Sequence, residues 1–172
     1  FQLDLSLYSD IIICDYNYVF DPNAHLKRYF SEGKKQSYLF LVDEAHNLVE
    51  RARNMYSASI CKEDFLELKR LLKGKAPKVE KQLNKSNSHL LELKRECENF
   101  EILKDINALY LQLLTLSGEI QEYLEIVEDA DIKKAVTEFY LNLRTFLNTY
   151  DVMDESYCIY SEMCGDGKFR LH

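Results

Sequence analysis

Hydrophobic positions along the chain follow two different patterns. In the first fifty residues they come in short unbroken runs, Ile11-Ile12-Ile13-Cys14 after Asp10 and Leu39-Phe40-Leu41-Val42 after Tyr38. Runs of this length that do not alternate read as strands buried on both faces, as in a parallel sheet. Between them, Asp21-Pro22-Asn23 reads as a helix start, with Asp21 as cap and Pro22 at the first helical position. That helix is expected to run from His25 to Phe30 and to end at Gly33. Strand, helix, strand predicts a βαβ unit with a right-handed crossover.

From Asn47 to Glu155 the period becomes helical. Leu48, Val49 and Ala52 continue from the second run. Phe65, Leu68, Leu71 and Leu72 share one face of a helix over 62–73 that Gly74 stops. Val79, Leu83, Leu90 and Leu93 predict a helical stretch over 77–97, with the polar Asn84-Lys85-Ser86-Asn87-Ser88 as a candidate break. Ile102, Ile106, Leu109, Leu113, Leu116, Ile120 and Leu124 form one long stripe, and Ile132, Val136, Phe139, Tyr140, Leu143, Phe146, Leu147 and Tyr150 another; both read as the core of a bundle. The last residues return to β character. Tyr157-Cys158-Ile159-Tyr160 and Lys168-Phe169-Arg170-Leu171 flank Gly165-Asp166-Gly167, the pattern of a short hairpin. The expected fold is mainly α with a small α/β part: a βαβ piece over 1–50, a helical bundle over 51–155 inserted after it, and return strands over 156–172.

Composition narrows the class. With 172 residues, 47% hydrophobic and 30% charged, the chain suits one or two globular units. Five glycines and two prolines exclude collagen-like and Pro-rich disordered readings. No apolar run approaches the ~20 residues that span a bilayer. The sequence opens on Phe1 with no signal-peptide pattern, and a piece of a larger protein is expected. A net charge of −7 speaks against a strongly basic nucleic-acid binder, but the charge is uneven. Lys62–Lys85 holds eight basic and four acidic residues, whereas Asp105–Glu155 holds three basic and eleven acidic ones. The acidic stretch from Glu119 to Glu155 suits a protein partner or simple solubility better than DNA. Five cysteines, none at C-x-x-C or C-x-x-x-C spacing, argue against a zinc or iron–sulfur site built from this chain alone. They read as reduced, mostly buried thiols of a cytoplasmic protein.

The candidate chemistry sits at Asp43-Glu44-Ala45-His46. Acids at the carboxyl end of a buried parallel strand lie where α/β sheets place ligands. Phosphoryl chemistry needs two acids there, one for a hydrated magnesium ion and one to orient or deprotonate the attacking water. A plainer reading has both acids capping the next helix, whose N-terminus favours anions. A transition-metal site of Asp43, Glu44 and His46 would need a third well-placed ligand and supporting groups, which nothing nearby in the sequence supplies. The aromatic residues, twelve Tyr and nine Phe, could stack on bases, but those on the apolar stripes read as core. Tyr16, Tyr18 and Tyr56 stand outside the stripes.

Asp43-Glu44-Ala45-His46-Asn47, preceded by Leu39-Phe40-Leu41-Val42, resembles the Walker B (motif II) segment of DEAH-type superfamily 2 helicases. The upstream stretch Ser9–Asp21 and the continuation Asn47–Arg53 are similar to the branch that includes the xeroderma pigmentosum group D helicase and bacterial DinG-type proteins. Local matching covers Leu3 to Ser59, and the helical remainder agrees in position and length with that family's arch domain. The resemblance implies a piece of a RecA-like motor domain followed by an arch, from a cytoplasmic bacterial ATP-dependent DNA helicase. It implies that Asp43 coordinates Mg2+ through water, that Glu44 activates the hydrolytic water, and that Asp43 and Glu44 together face ATP. His46, with Asn47 beside it, would couple the nucleotide site to the DNA-contacting parts. Single-stranded DNA is the implied partner, with Arg51, Arg53, Lys69, Arg70 and Lys73 as candidate phosphate contacts. The family's phosphate loop, G-x-x-x-x-G-K-[ST], does not occur in this sequence. The cysteines present do not match the family's four cluster ligands, so an iron–sulfur cluster in the parent would not be ligated here. This chain alone is expected to be inactive. The competing reading is a helical interaction module that docks an accessory protein.

Overall fold

The computed structural model describes residues 2–22, 24–30 and 37–172. The chain divides into two compact units, Phe1–Tyr56 and Ser57–His172.

Among its described residues the first unit holds four short α-helices, α1 (Gln2–Leu5), α2 (Asn17–Phe20), α3 (Lys27–Phe30) and α4 (Leu48–Met55). None of its described residues is buried. Polar links hold it together. Arg28 donates to the Leu3 carbonyl at 2.6 Å and pairs with Asp4 at 3.1 Å, and the Tyr56 hydroxyl donates to the Phe20 carbonyl at 3.1 Å. Tyr29, Phe30, Tyr38 and Phe40 add a cluster of tilted and edge-on rings. The two expected strands do not form: no strand is present at 10–14 or 38–42. A strand buried on both faces needs a neighbour at each edge and a cover on each side, and the described residues of this unit supply neither. Ile13 and Leu41 are therefore 95% and 92% exposed. The expected helix at 25–30 is shorter, and Asp21 stabilises the turn before it by accepting from the Ala24 N–H at 3.0 Å. Asn23 and Gly33, assigned to that helix's start and end, lie outside the described residues.

The second unit is a four-helix bundle with a sheet. Its helices are α5 (Lys62–Leu72), α6 (Pro77–Glu96), α7 (Asn107–Ile126) and α8 (Ala130–Asp151). Consecutive helices are neighbours, and α5 also packs on α8, closing the bundle. Lys78 at the start of α6 meets Glu122 near the end of α7 at 3.5 Å, and the Gln112 amide donates to Gln82 at 3.0 Å; α6 and α7 run antiparallel. The expected stripes fill the core, with Phe65, Leu72, Val79, Leu83, Leu90, Leu113, Leu116, Ile120, Val136, Leu143 and Leu147 at 1% exposure or less. Phe65 meets Phe139 edge-on at 4.9 Å. Local chemistry sets the helix ends. Gly74 takes φ +73° after α5, a backbone that favours glycine, and its N–H donates to Glu80 at 2.8 Å. Pro77 opens α6, and Asp129 caps α8 by accepting from the N–H groups of Asp131 and Ile132.

Four details depart from expectation. Leu71, expected on the core face of α5, is 39% exposed, because it lies at the border of the stripe on an open cavity beside α8. Helix α6 runs unbroken through 84–88, because Asn84, Lys85 and Ser88 face solvent while Ser86 is small enough to be buried. Ile102 is not on the α7 stripe; it lies on a strand, 64% exposed. Of the cysteines only Cys97 is buried, all five are free, and Cys14 and Cys158 are exposed, since neither sits on a core-facing position.

The sheet contains β1 (Ile60–Cys61), β2 (Phe100–Leu103), β3 (Ile159–Met163) and β4 (Phe169–Leu171), in the antiparallel order β1-β4-β3-β2. The expected hairpin is β3–β4, turning through Gly167 at φ +77°. Its outer partners are β1 and β2 of the same unit. Ile60, Ile159, Ser161, Phe169 and Leu171 are buried on the face toward the helices. Glu63 joins sheet to bundle: its carboxylate accepts from the Phe169 N–H at 2.9 Å and from Lys94 of α6 at 3.2 Å.

Candidate functional site

The apolar run 39–42 ends in a tight turn at Asp43 and Glu44, which leads through Ala45–Asn47 into α4. The Glu44 N–H donates to Asp43 Oδ1 at 2.8 Å, which fixes one carboxylate oxygen and leaves the other toward solvent. Glu44 adopts φ 50°, ψ 36°, the only left-handed backbone at a non-glycine residue among the described residues. That conformation costs a non-glycine residue about 1 kcal/mol or more, and such residues cluster at functional turns. It lets one helical turn close directly behind the acid pair, with the Asn47 N–H donating to the Glu44 carbonyl at 2.9 Å.

Four of the sequence-predicted residues come together here. His46 Nε2 lies 3.3 Å from Glu44 Oε2, and Asn47 Nδ2 donates to the same oxygen at 3.4 Å. Glu44 Oε1 bonds to no described residue. His46 and Glu44 are largely exposed. The arrangement is two adjacent carboxylates, each with one oxygen held and one free, and a histidine and an amide steering the second.

Oxygen-only donors of this kind suit magnesium, which keeps most of its water and takes one or two carboxylates alongside phosphate oxygens. The described residues contain no group of three or more His, Cys, Asp or Glu positioned to enclose a metal, and a hydrated ion held from one side needs none. The iron–sulfur chemistry has no cysteine cluster to support it among the described residues.

The cationic candidates fall into two groups. Arg51 and Arg53 lie on α4, one to two turns beyond the acids. The Arg51 guanidinium sits 5.0 Å over the Tyr16 ring, a cation–π contact that no sequence signal announced. Arg53 is exposed, with no partner among the described residues. Lys69, Arg70 and Lys73 belong to the second unit, at the last turn of α5 and just beyond it. Lys75 on the α5–α6 connection and Lys81 and Lys85 on α6 are also exposed. At the start of α8 and in the residues before it, Glu125, Glu128, Asp129 and Asp131 are exposed and carry the opposite charge. Between α5 and α8, Asp64, Glu67, Glu138, Asn142 and Phe139 line a cavity of about 480 Å³. Burial pushes the Asp64 carboxyl up, against the pull of Lys168.

No described helix is long and apolar enough to cross a membrane. No curated protein and no solved structure matches the chain. Residues 4–65, which include the acid turn and both α4 arginines, match the DEAD_2 family, a domain of DEAD/DEAH helicases, and this match supports a helicase-type, ATP-dependent role for that part of the chain.

Proposed function

We propose that the chain is part of a DinG-like, ATP-dependent DNA helicase and that it contributes the acid half of the nucleotide site together with an arch-type helical domain. The observation that carries this reading is the left-handed turn at Glu44, which orients two neighbouring carboxylates beside His46 and Asn47 within the helicase-matching segment. In this reading residues 1–50 belong to a RecA-like motor domain, 51–155 form the arch, and 156–172 lead back toward the motor. Bound ATP would supply the γ-phosphate for attack. Asp43 would hold a hydrated magnesium ion, which would supply charge stabilisation at the phosphates. Glu44 orients the attacking water and accepts its proton at Oε1, while His46 and Asn47 hold Oε2. His46 then reports the state of Glu44 to the DNA-contacting parts. Arg51, Arg53, Lys69, Arg70 and Lys73 neutralise the phosphates of single-stranded DNA. The isolated chain lacks the phosphate-cradling loop sequence and is inactive alone.

The deciding experiment is Glu44→Gln in the full-length protein. Hydrolysis falls at least a hundredfold while ATP binding stays within about twofold; retained turnover removes Glu44 from its role. The exposed acids at the start of α8 favour a second role for the same domain, docking a basic surface of an accessory protein, and leave the phosphate contacts to the α5–α6 side.

A further inference from the structure

Strand β2 ends the sheet, and its outer edge has no partner among the described residues. The Met163 N–H donates to the Asn99 carbonyl at 2.8 Å, so residues 99, 101 and 103 turn their backbone groups toward β3. The N–H and C=O groups of Phe100 and Ile102 therefore face the open edge. Their side chains stand on the side of the sheet opposite buried Ile159 and Ser161, and they are 54% and 64% exposed. Apolar side chains beside free backbone groups are what a sheet edge offers to another strand. Glu98 precedes the strand and Lys104 follows it; both are exposed, and neither forms an ion pair among the described residues.

We propose that β2 pairs antiparallel with β2 of a second copy of this chain, about a two-fold axis at Ile102, so that the two sheets join edge to edge. The strand is complementary to itself in this register and in no other nearby. Ile102 exchanges both backbone bonds with its counterpart, and Phe100 meets Lys104 of the other copy, so the edge groups are matched on both sides of the axis. The axis keeps the outer side chains of both copies on one face. Ile102 then packs on Ile102, and the Lys104 stem lies along the Phe100 ring. Antiparallel pairing also brings Lys104 of each copy toward Glu98 of the other, whereas a parallel pair would set each charge beside its like. Sliding the copy by two residues one way sets Glu101 against Glu101; sliding it the other way sets Phe100 against Ile106, which is buried at the start of α7. A slide of one residue turns the two outer faces to opposite sides. The contact is short and belongs with weak, reversible interfaces. It is independent of the ATP-site reading, which the Glu44→Gln assay decides.

Sedimentation equilibrium of the 172-residue chain is expected to show a monomer–dimer equilibrium that stops at two copies, with a dissociation constant between about 1 µM and about 200 µM. Ile102→Pro removes the outward N–H and leaves the bonds of β2 to β3 in place, and edge strands accept proline. It is expected to weaken the dimer about tenfold or more, with an unchanged circular dichroism spectrum as the check on folding. Charge reversal tests the same contact without a proline. Lys104→Glu and Glu98→Lys are each expected to weaken the dimer about threefold or more. The double variant, whose net charge is again −7, is expected to return to within about twofold of wild type. Glu98→Lys alone lowers the net negative charge of the chain, so nonspecific association would strengthen in that variant instead. A wild-type chain that stays monomeric up to about 200 µM overturns the pairing. So does a dimer that folded Ile102→Pro leaves intact, or a double variant that does not recover. Open-ended association that ignores Ile102→Pro also overturns it and points to the exposed runs of the first unit.

Discussion

Replacing Glu63 with alanine tests how the sheet is fastened to the bundle. The Glu63 carboxylate sits in the first turn of α5 and accepts from the N–H of Phe169, a residue with no exposed surface. Leaving that N–H without its charged acceptor costs about 1.5–3 kcal/mol. The bridge to Lys94, with side chains 25% and 27% exposed, adds under about 1 kcal/mol. A loss near 3 kcal/mol lowers the melting temperature of a unit this size by about 10 °C. Glu63→Gln keeps an acceptor oxygen for Phe169 and is expected to lose less than half as much. The pH dependence gives an independent test. Burial pushes the Glu63 carboxyl up, but the bonds from Phe169 and Lys94 outweigh it and hold the group below its ordinary value. A depressed carboxyl stabilises fully above its unfolded value of about 4.3 and loses that contribution as pH falls through the folded value. Thermal melts by circular dichroism should therefore separate wild type from Glu63→Gln at pH 7 and narrow that gap progressively as pH falls below the ordinary carboxylate range. A melting temperature for Glu63→Ala within about 2 °C of wild type, or a gap to Glu63→Gln that stays constant or widens as the solution is acidified, would refute the reasoning.

Other outcomes follow from the same structure. Phe65→Ala removes a fully buried ring and its edge-on contact with Phe139, costing about 3–5 kcal/mol, and chemical denaturation should show the bundle largely unfolded or strongly destabilised. The 172-residue chain, titrated with Mg·ATP in a calorimeter, should give no saturable heat and release no phosphate above background. Replacing Lys69, Arg70 and Lys73 together by alanine should weaken binding of a 15-mer oligothymidylate and reduce the slope of log K against log salt by about 0.7 per lost phosphate contact; an unchanged slope would remove these residues from the DNA path.

The sequence was most readable where burial imposes one period. In α5, α7 and α8 the apolar residues fall every third or fourth position because one face of each helix meets the core, so most of each stripe is buried, while Leu71 and the half-buried Leu124, Phe139, Tyr140 and Tyr150 sit at the stripe borders. The polar run in α6 misled, because a helix needs an apolar residue only once per turn, and Leu83 and Leu90 with buried Ser86 between them meet that need. Strand β2 was missed because Ile102 stands four residues before Ile106, which is helical spacing, although the two belong to a strand and a helix start. The runs 10–14 and 38–42 carry the composition of strands, but a strand's hydrogen bonds belong to its neighbours and composition does not supply them. At the candidate site, the pair Asp43 and Glu44 and the nearness of His46 and Asn47 were legible from spacing. The left-handed backbone at Glu44 was not, because glutamate does not advertise that conformation as glycine does.

Those two unpaired runs have a consequence for handling the protein. Residues such as Ile11, Ile13, Leu39 and Leu41 present flat apolar stretches with unengaged backbone, which is the template that neighbouring chains use to pair edge to edge. At the concentrations needed for spectroscopy, clumping should begin in the first unit while the bundle is still folded. Arginine or a mild detergent in the buffer should then improve recovery more than any added ligand.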